Sequence, residues 1–431
     1  MRNIIIGLLI LVMQTSCSQE KKEDFKVDYL FTNVSVIPMN TEIVLKSKTI
    51  AIKDGKIIEI ADANTKKFTS VAHTIDAKGK FIMPALSDAH VHLPKKENDF
   101  KKLLTLELIN GVTKIRSMRG KWNHIEWRKE YNKESSIYPK MYLSSPVIHR
   151  KSNFDIKQLN EFVKKVKNKG FDFIKVLSVK DETFFNELDS ICKLNDISLC
   201  GHYPKNVSDN VLFNSNYTSL EHLGGLTKIE PQLLAKRLQK IKENNIYICP
   251  TLSWYSVGSG RYSYEELRKQ PGINYISKEK VDNWIDKTKQ YREKLGVQGY
   301  KDEVASELKK LNEKYEVIKK LHNLNIKMLL SPDSSAKYMV AGFGLLGEMK
   351  LLKNADLSNF EILQMATTNF SDFFKGNYGT IEVGKNADFI ILNENPLTNL
   401  DALKNIDAVF FNTNYLNSDK LKELSKTILP N

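Results

Sequence analysis

The stretch Phe81-Ile-Met-Pro-Ala-Leu-Ser-Asp-Ala-His-Val-His92 joins an apolar run to two closely spaced histidines. Successive side chains of an extended strand point to opposite faces, so we expect His90 and His92 to lie on one face and Val91 on the other. Two imidazoles side by side at the end of a buried strand suit a divalent metal ion. The alternative is two polar residues on a strand edge, and the rest of the chain favours the metal site.

Between residues 81 and 376 the sequence alternates strand-like and helix-like stretches, which is typical of parallel β/α units. Eight strand candidates can be assigned, at residues 81–86, 112–118, 141–148, 171–177, 198–202, 218–223, 246–252 and 326–331. Eight parallel strands with crossovers predict an α/β fold of the TIM type, a (β/α)8 barrel with its active site at the carboxyl ends of the strands. The polar segment 253–324 exceeds one crossover and predicts additional helices over the barrel mouth.

Both ends of the chain outside this region are rich in short strand patterns. Asp54-Gly55 is a hairpin signal between two strand-like runs, and residues 379–392 and 408–411 offer strands that could pair with them. We therefore predict a discontinuous β-sandwich domain built from residues 28–80 and 377–431. This domain would enclose a catalytic barrel domain spanning residues 81–376.

The first 17 residues have the features of a targeting segment. Arg2 precedes an apolar run at residues 4–13, and Thr15-Ser-Cys17 follows it. The segment resembles a bacterial lipoprotein signal peptide, in which Cys17 would be the lipidated residue, and residues 18–27 would form a tether. It predicts an exported protein, anchored to a membrane of the bacterial cell envelope. A plain cleaved signal is the alternative, and the apolar run is short for a membrane span.

The composition excludes one class of partner. The formal charge is +14, but the Lys residues are spread among Asn and Glu residues, as on a solvated surface. No zinc-finger, helix-turn-helix or RNA-binding motif accompanies them, so we expect no nucleic acid partner. Cys192, Cys200 and Cys249 lack a Cys-x-x-Cys spacing and are expected to be buried thiols, with a Cys192–Cys200 bridge as the alternative.

Ligand-type residues recur at the ends of the predicted strands. Four of the eight histidines of the chain lie there, together with a lysine and an aspartate: His90, His92, Lys175, His202, His222 and Asp333. Such a concentration favours a metal site over scattered core histidines. His149 follows the third strand and is a candidate for substrate contact. The remaining histidines, His73, His124 and His322, are expected in loops or on the surface.

Several separated motifs resemble the metal-dependent amidohydrolase superfamily. Met83-Pro-Ala-Leu-Ser-Asp-Ala-His-Val-His92 resembles its strand-one signature, and Gly111-Val-Thr-Lys-Ile-Arg116 its next motif. The segment 379–388 and Asn395-Pro-Leu397 resemble the C-terminal return into the sandwich domain. Within the superfamily the chain is most similar to the imidazolonepropionase-like and Xaa-Pro dipeptidase branch. Lys114 and Ser117 depart from that branch, at positions expected to bear on the substrate.

This resemblance implies a site for two divalent metal ions, with zinc expected. His90, His92 and Asp333 would hold one ion, and His202 and His222 the other. Lys175 would bridge both as an N-carboxylated lysine, since a carbamate is an anionic ligand whereas a free ammonium is repelled by two dications. An unmodified Lys175 beside a single metal is the alternative.

The resemblance also implies a reaction. A metal-bridging hydroxide would attack an amide C–N bond of a dipeptide or cyclic amide, with Asp333 as the catalytic residue that orients it and passes its proton to the leaving amine. Tyr203 and Arg116 are candidates to hold a substrate carboxylate. The alternatives are a lactonase, phosphoesterase or deaminase of the same superfamily, or a non-catalytic surface-binding lipoprotein. The sequence leaves homo-oligomer formation open.

Overall fold

A computed structural model describes residues 26–430 of the chain, except residues 64, 67 and 69. The predicted signal peptide, Cys17 and nearly all of the predicted tether lie outside the described residues. The strands are β1 (Lys26–Val36), β2 (Leu45–Lys53), β3 (Lys56–Asp62), β4 (Ser70–Asp76), β5 (Phe81–Pro84), β6 (Leu86–Val91), β7 (Val112–Ser117), β8 (Lys140–Leu143), β9 (Phe173–Val176), β10 (Ser198–His202), β11 (Tyr217–Glu221), β12 (Tyr247–Cys249), β13 (Phe389–Leu392), β14 (Ile406–Phe411) and β15 (Asn414–Asn417).

Helices occupy most of the connections between these strands. They are α1 (Glu97–Ile109), α2 (His124–Tyr131), α3 (Ile156–Lys169), α4 (Glu182–Leu194), α5 (Asp209–Phe213), α6 (Pro231–Glu243), α7 (Leu252–Gly258), α8 (Tyr264–Arg268), α9 (Lys278–Asn323), α10 (Phe343–Leu352), α11 (Asn359–Ala366), α12 (Thr368–Phe374) and α13 (Ser418–Thr427). Among the described residues, none of these helices combines the length and the apolar character needed to cross a membrane.

Local sequence signals set the ends of these helices, as α3 illustrates. The Asp155 side chain accepts a hydrogen bond from the Gln158 backbone N–H, and the Gln158 side chain accepts one from the Asp155 N–H, which forms a capping box. At the other end Gly170 adopts a left-handed conformation that glycine tolerates well. Leu159, Val163 and Val166 are buried at helical spacing, so α3 packs one apolar face inward.

One sheet contains strands from both ends of the chain. Its order is β15-β14-β13-β5-β1-β2-β3, and β4 pairs with β1. Phe389 of β13 pairs with Phe410 of β14, and their rings stack 5.1 Å apart. Phe31 of β1 packs edge-on against both rings. These three buried aromatic side chains therefore connect the C-terminal strands to the N-terminal ones.

The middle of the chain forms parallel sheets, as the alternation of patterns predicted. Strands β6-β7-β8 pair in parallel, and so do β9-β10-β11-β12. Parallel bridges join Ser144, just after β8, to Phe173 of β9, and Ile248 of β12 to Met328. A further parallel bridge joins Val91 of β6 to Ser334. The carboxyl ends of these strands consequently lie along a common edge, and the α/β class is confirmed.

The first predicted strand, residues 81–86, is wrong in its boundaries. The segment is divided between β5, which pairs with β13 in the terminal sheet, and β6, which pairs with β7 and carries His90. The division falls at Ala85, whose backbone N–H donates to the Asp388 carbonyl while the Leu86 N–H donates to Gly111. Adjacent backbone donors thus serve two different sheets, which no periodicity in an apolar run can reveal.

The last predicted strand, residues 326–331, is also less regular than expected. Its paired residue is Met328, in an isolated bridge to Ile248. The Leu330 N–H donates to the Met365 carbonyl of α11 instead of to a neighbouring strand, although the Leu330 carbonyl accepts from Ala89. A backbone hydrogen bond to helix α11 therefore replaces one of the strand hydrogen bonds expected for this segment.

The additional helices predicted in residues 253–324 are present as α7, α8 and α9. Helix α9 is interrupted at Gly296, where φ is 68° and ψ is 173°, a conformation that glycine adopts without the steric cost of a Cβ atom. Beyond this interruption the Tyr300 hydroxyl donates to the Gly260 carbonyl at 2.6 Å. Helix α9 is therefore held against the segment that follows α7.

A buried ion pair joins the parallel sheets to the terminal sheet. Lys114 of β7 pairs with Asp388, which also accepts a hydrogen bond from the Thr113 hydroxyl at 2.7 Å. The Lys114 ammonium lies 4.2 Å from the centre of the Tyr378 ring. The expectation that Lys114 bears on the substrate is therefore wrong, because its charge is used in packing two sheets together.

Candidate metal centre

A cavity of about 1100 Å³ opens at the carboxyl ends of the parallel strands. All six predicted ligands line it: His90, His92, Lys175, His202, His222 and Asp333. They come from β6, β9, β10, the residue after β11 and the segment after residue 331. The walls include Val147, Val179, Trp254 and Tyr255, the last two from α7. The structure thus brings together residues that are up to 243 positions apart in the sequence.

His90 and His92 lie at the carboxyl end of β6 and point to the same side of it, with ring centres 5.3 Å apart. His90 is buried, whereas 36% of the His92 side chain is exposed to the cavity. The Nε2 atoms of the two rings lie 3.7 Å and 3.4 Å from Asp333 Oδ1. Strand alternation therefore predicts the relation between the two histidines, and the fold supplies the carboxylate.

His222 occupies the centre of the histidine cluster. Its ring centre lies 5.0 Å from that of His90 and 4.8 Å from that of His202. The Nδ1 atom of His222 is 2.5 Å from the Thr251 hydroxyl, which fixes the ring and leaves Nε2 for another partner. His222 and Asp333 both have positive φ, 64° and 69°, and such backbone conformations in residues other than glycine cost about 1–3 kcal/mol each. Two of the proposed ligands therefore lie on strained backbone.

Two buried polar atoms at the site have no hydrogen-bond partner among the described residues. They are Lys175 Nζ and Asp333 Oδ1. Burial, offset in part by the carboxylates of Glu221 and Asp333, lowers the pKa of Lys175 to about 8. Burial raises the pKa of Asp333 to about 7. Since an unpaired buried polar atom costs about 1–3 kcal/mol, Asp333 Oδ1 fits a site that a bound cation completes, and Lys175 Nζ fits such a site once its positive charge is removed.

The histidines are held in the form that binds metals. Burial, aided by the Lys175 charge, lowers the pKa of His92 and of His202 to about 4. Burial also lowers the pKa of His90 and of His222, well below the usual value. All four rings are therefore neutral at pH 7 and have a nitrogen lone pair for a metal ion.

Two groups of described residues bring three ligand atoms within 4.8 Å of one another. One is His90, His222 and Asp333, and the other is His90, Glu221 and Cys249. The first group contains only residues assigned as ligands from the sequence. The sequence analysis, however, placed His222 with His202 on one metal ion, and His90 and Asp333 on the other. The second group lies behind His90, where His90 Nδ1 is already 2.8 Å from Glu221 Oε2. That contact is the one by which a carboxylate usually orients a metal-binding histidine.

Glu221 is a functional residue that the sequence interpretation missed. It is fully buried and accepts hydrogen bonds from Arg116 Nη2 at 2.7 Å and 2.8 Å, and from the Ser219 hydroxyl at 2.6 Å. Burial acts to raise the pKa of Glu221, but the positive charges of Arg116 and Lys175 outweigh it and lower the pKa. In β11, Ser219 and Glu221 share one face, so strand alternation offered a signal that could have identified this carboxylate.

Asp88 is a second residue without a predicted role. Its carboxylate accepts hydrogen bonds from the hydroxyls of Ser331 at 2.5 Å and Ser334 at 3.0 Å, and from the His90 N–H at 3.1 Å. Burial raises the pKa of Asp88 to about 6 despite these bonds. Asp88 therefore connects β6 to the segment that carries Asp333.

The three residues suggested for substrate contact occupy different environments. Arg116 is fully buried, and its guanidinium donates to Ala89, Ser219 and Glu221, so it does not line the cavity. Tyr203 lines the cavity, but its hydroxyl donates to Asp209 and its ring lies under the Arg237 guanidinium. His149 is half-buried, and its Nδ1 accepts from the Lys151 N–H at 3.2 Å. Its neighbours Val147 and Arg150 line the cavity instead.

The cysteines and His124 were not assigned as ligands from the sequence. Cys192, Cys200 and Cys249 are buried free thiols, as predicted. His124 was expected in a loop or on the surface, and that expectation is wrong. Its ring is fully buried and stacks on Trp127, 5.2 Å between centres, at the start of α2.

Comparisons with known proteins agree with this geometry. A model of the amidohydrolase family matches residues 191–416. An imidazolonepropionase from Staphylococcus aureus (strain Newman) is 50% identical over 50 residues, which span 12% of this chain and 12% of that protein. The structure titled bottromycin amidohydrolase has a TM-score of 0.71 at 18% identity, covering 93% of this chain and 89% of that one. A Xaa-Pro dipeptidase with bound methionine in the active site has a TM-score of 0.65 at 16% identity, covering 90% and 100%.

At such identities the two structural similarities speak for the fold alone, and the match to the Staphylococcus protein covers a short segment. The family model, in contrast, spans more than half of the chain and includes His202, His222 and Asp333. The resemblance seen in the sequence motifs is thereby confirmed: the chain belongs to the amidohydrolase family.

Proposed function

We propose that the protein is a metal-dependent hydrolase that cleaves an amide C–N bond, in a dipeptide or a cyclic amide. One observation carries this proposal. Six ligand-type side chains from separate strand ends converge on one cavity, where Lys175 Nζ and Asp333 Oδ1 are buried without hydrogen-bond partners. A protein without metal chemistry would gain nothing from such costly groups.

We assign the ligands as the family resemblance implies. His90, His92 and Asp333 would hold one divalent ion and His202 and His222 the second, with zinc the expected metal for imidazole and carboxylate ligands. Lys175 would bridge them as a carbamate. Its low pKa supports this assignment, because the neutral amine is the form that reacts with carbon dioxide. When bound, the ions would lower the pKa of a water molecule to about 7 and polarise the substrate carbonyl.

The residues of the chain have distinct roles in this proposal. Asp333 Oδ1 is the atom that would accept a proton and pass it to the leaving amine. Glu221 would hold the His90 ring through Nδ1, and Thr251 would hold the His222 ring. Trp254 and Tyr255 would limit access of bulk water to the reacting groups.

The same ligand set could serve a lactonase, a phosphoesterase or a deaminase. The occurrence of the same fold in a structure titled Xaa-Pro dipeptidase and in one titled bottromycin amidohydrolase favours amide cleavage over these alternatives. A non-catalytic binding lipoprotein is less favoured, because binding alone does not need six convergent ligands.

We also propose the architecture that the sequence suggested. The bridges from Ser144 to Phe173, from Ile248 to Met328 and from Val91 to Ser334 support a closed (β/α)8 barrel within residues 81–376, with β6 as its first strand because β5 belongs to the terminal sheet. A sandwich domain of residues 28–80 and 377–431 and a membrane anchor at Cys17 complete the proposal.

Metal content and substrate cleavage test the function together. Protein purified with excess zinc and bicarbonate should contain near two equivalents of zinc, and a dipeptide library with product identification should reveal amide hydrolysis. His222→Ala should lose metal and activity, whereas the matched variant His322→Ala, whose ring lies 3.3 Å from Glu361, should keep both.

Two outcomes would contradict parts of the proposal. One equivalent of metal or less, with Lys175 unmodified in a high-resolution map, would exclude the bridging carbamate. The metal-loaded protein could also cleave lactones, phosphoesters or amidines but no amide. That result would assign it to one of the alternative enzyme classes.

A further inference from the structure

Basic residues occur in the segments that follow the parallel strands, except in Pro250-Thr251 after β12. We define the exit segments as residues 92–96, 118–123, 149–154, 177–180, 203–207, 223–229 and 332–338. Each contains at least one lysine or arginine: Lys95, Lys96, Arg119, Lys121, Arg150, Lys151, Lys180, Lys205, Lys228 and Lys337. Asp333 is the one acidic residue in these segments. Because the strands are parallel, this charge accumulates on the side of the molecule where the cavity opens.

The acidic residues that come next in the chain do not neutralise the cavity. Four of the exit segments are followed directly by an acidic residue, and none of these residues lines the cavity: Glu97, Asp155, Asp181 and Glu230. The carboxylates of the two aspartates accept the backbone N–H groups of Gln158 and Phe184 at the starts of α3 and α4. Glu221, which lines the cavity, is already paired with Arg116.

Four cations from the exit segments line the cavity, and we call them the mouth cations: Arg119, Arg150, Lys205 and Lys337. All four are exposed. Within the part of the chain that the structure describes, none of their charged groups has a hydrogen-bond or ion-pair partner. The exposed Arg268, in contrast, pairs with Asp282, and the half-buried Arg128 pairs with Asp172.

Cations gathered at a cavity without ion-pair partners of their own repel one another and attract anions. A cavity with apolar walls focuses this field toward its interior, which raises the local concentration and binding of a negatively charged ligand. The residues that the sequence suggested for this task, Arg116 and Tyr203, are occupied by Glu221 and Asp209. Anion recognition therefore falls to the mouth cations.

We propose that the preferred substrate carries a carboxylate remote from the scissile amide, and that the mouth cations bind this carboxylate. This inference rests on the proposed function, which it deepens by naming an acidic amide as the substrate class. Arg119 and Arg150 follow neighbouring strands β7 and β8, so they can act on one carboxylate as a pair.

Dipeptides that differ only in charge test the proposal. The probes are Ala-Glu against Ala-Gln and Glu-Ala against Gln-Ala, because glutamate and glutamine have the same shape. Binding is measured by calorimetry on chelator-treated protein, in which no turnover intervenes, and kcat/KM is measured on zinc-loaded protein. In at least one pair, we expect the glutamate dipeptide to bind about tenfold more tightly than its glutamine counterpart at ~0.01 M salt. This ratio of affinities, the Glu/Gln ratio, should decrease at ~1 M salt.

Charge-matched variants identify the residues responsible. Arg119→Gln/Arg150→Gln should reduce the Glu/Gln ratio to about twofold or less. The control Lys164→Gln/Lys236→Gln removes two exposed lysines from the middle of α3 and α6 and should leave the ratio unchanged. A ratio near one in the unmodified protein, or equal losses in the two double variants, would overturn the inference.

The two levels of the proposal fail separately. Preferential binding of acidic dipeptides without hydrolysis of any amide would support carboxylate binding by the mouth cations and would overturn the proposed function. Hydrolysis without preference for acidic dipeptides would do the reverse. Arg119→Gln/Arg150→Gln could instead weaken binding to phosphatidylglycerol vesicles and leave the Glu/Gln ratio unchanged. The mouth cations would then bind a membrane surface, and the inference would be overturned.

Discussion

Glu221→Gln is a substitution for which the structure predicts a large effect on folding. Both Glu221 and Arg116 are fully buried, and Glu221 receives two hydrogen bonds from the Arg116 guanidinium. A glutamine keeps the shape but removes the negative charge, and in either orientation its amide nitrogen would face Arg116 Nη2, because both Glu221 oxygens accept from that atom. The Arg116 guanidinium would then be a buried cation without a counter-ion.

Removing one partner of a buried ion pair costs about 3–5 kcal/mol, because the remaining charge is neither solvated nor paired. We therefore expect Glu221→Gln to lower the free energy of unfolding by this amount, which is a large part of the typical ~5–15 kcal/mol of a folded domain. The double variant Arg116→Met/Glu221→Gln should be more stable than Glu221→Gln, since it contains no unpaired buried cation.

Urea unfolding followed by circular dichroism measures these differences on protein prepared without metal. Asp282→Asn is the matched control, because Asp282 pairs with Arg268 at 2.5 Å, yet the two side chains are 39% and 44% exposed. Exposed pairs contribute about 0–1 kcal/mol, so the control should be nearly neutral. Equal effects of Glu221→Gln and Asp282→Asn would refute the reasoning that burial makes the Arg116 pair decisive.

Three further predictions concern the reaction, the fold and the anchor. Asp333→Asn should reduce turnover about a hundred- to ten-thousandfold while metal content, measured in parallel, is retained, and near-normal turnover would exclude Asp333 as the proton carrier. Gly201→Ala should destabilise the protein by more than about 2 kcal/mol in urea unfolding, because Gly201 has a φ of 152° and an added Cβ would lie 1.9 Å from the Val176 carbonyl oxygen. The control Gly347→Ala, in α10 with open space around it, should be neutral or stabilising. Cys17→Ala should release the protein from the membrane fraction of expressing cells, and an unmodified protein that is already soluble in a periplasmic extract would contradict the anchor.

The sequence was most informative where function depends on the spacing of neighbouring residues. His90 and His92 share one side of β6 because strand geometry alternates side chains, and the structure places their ring centres 5.3 Å apart. The α/β class followed from the alternation of strand and helix patterns in the same way. Parallel strands also place their carboxyl ends together, so assigning Lys175, His202, His222 and Asp333 to strand ends was enough to gather them in one cavity.

Contacts between segments that are distant in the chain could not be read in this way. Arg116 looked like a ligand for a substrate carboxylate until the fold paired it with Glu221, 105 residues away. Lys114 looked like a specificity residue until it met Asp388 of the terminal sheet. In both cases the residue type was informative, but the partner that neutralises its charge was set by packing.

Local patterns along one strand or helix are thus what the sequence by itself determined: the His-x-His pair, the parallel β/α alternation and the capping of α3. The tertiary structure alone decided which sheet each strand joins, which charges are satisfied internally and which charges remain for a ligand. The division of the chain at Ala85, the Arg116–Glu221 pair behind His90 and the unpaired mouth cations all belong to that second class. The physical reason is that desolvation makes each buried charge depend on its three-dimensional neighbours, whereas the periodicity of a strand or helix depends on the backbone of that element only.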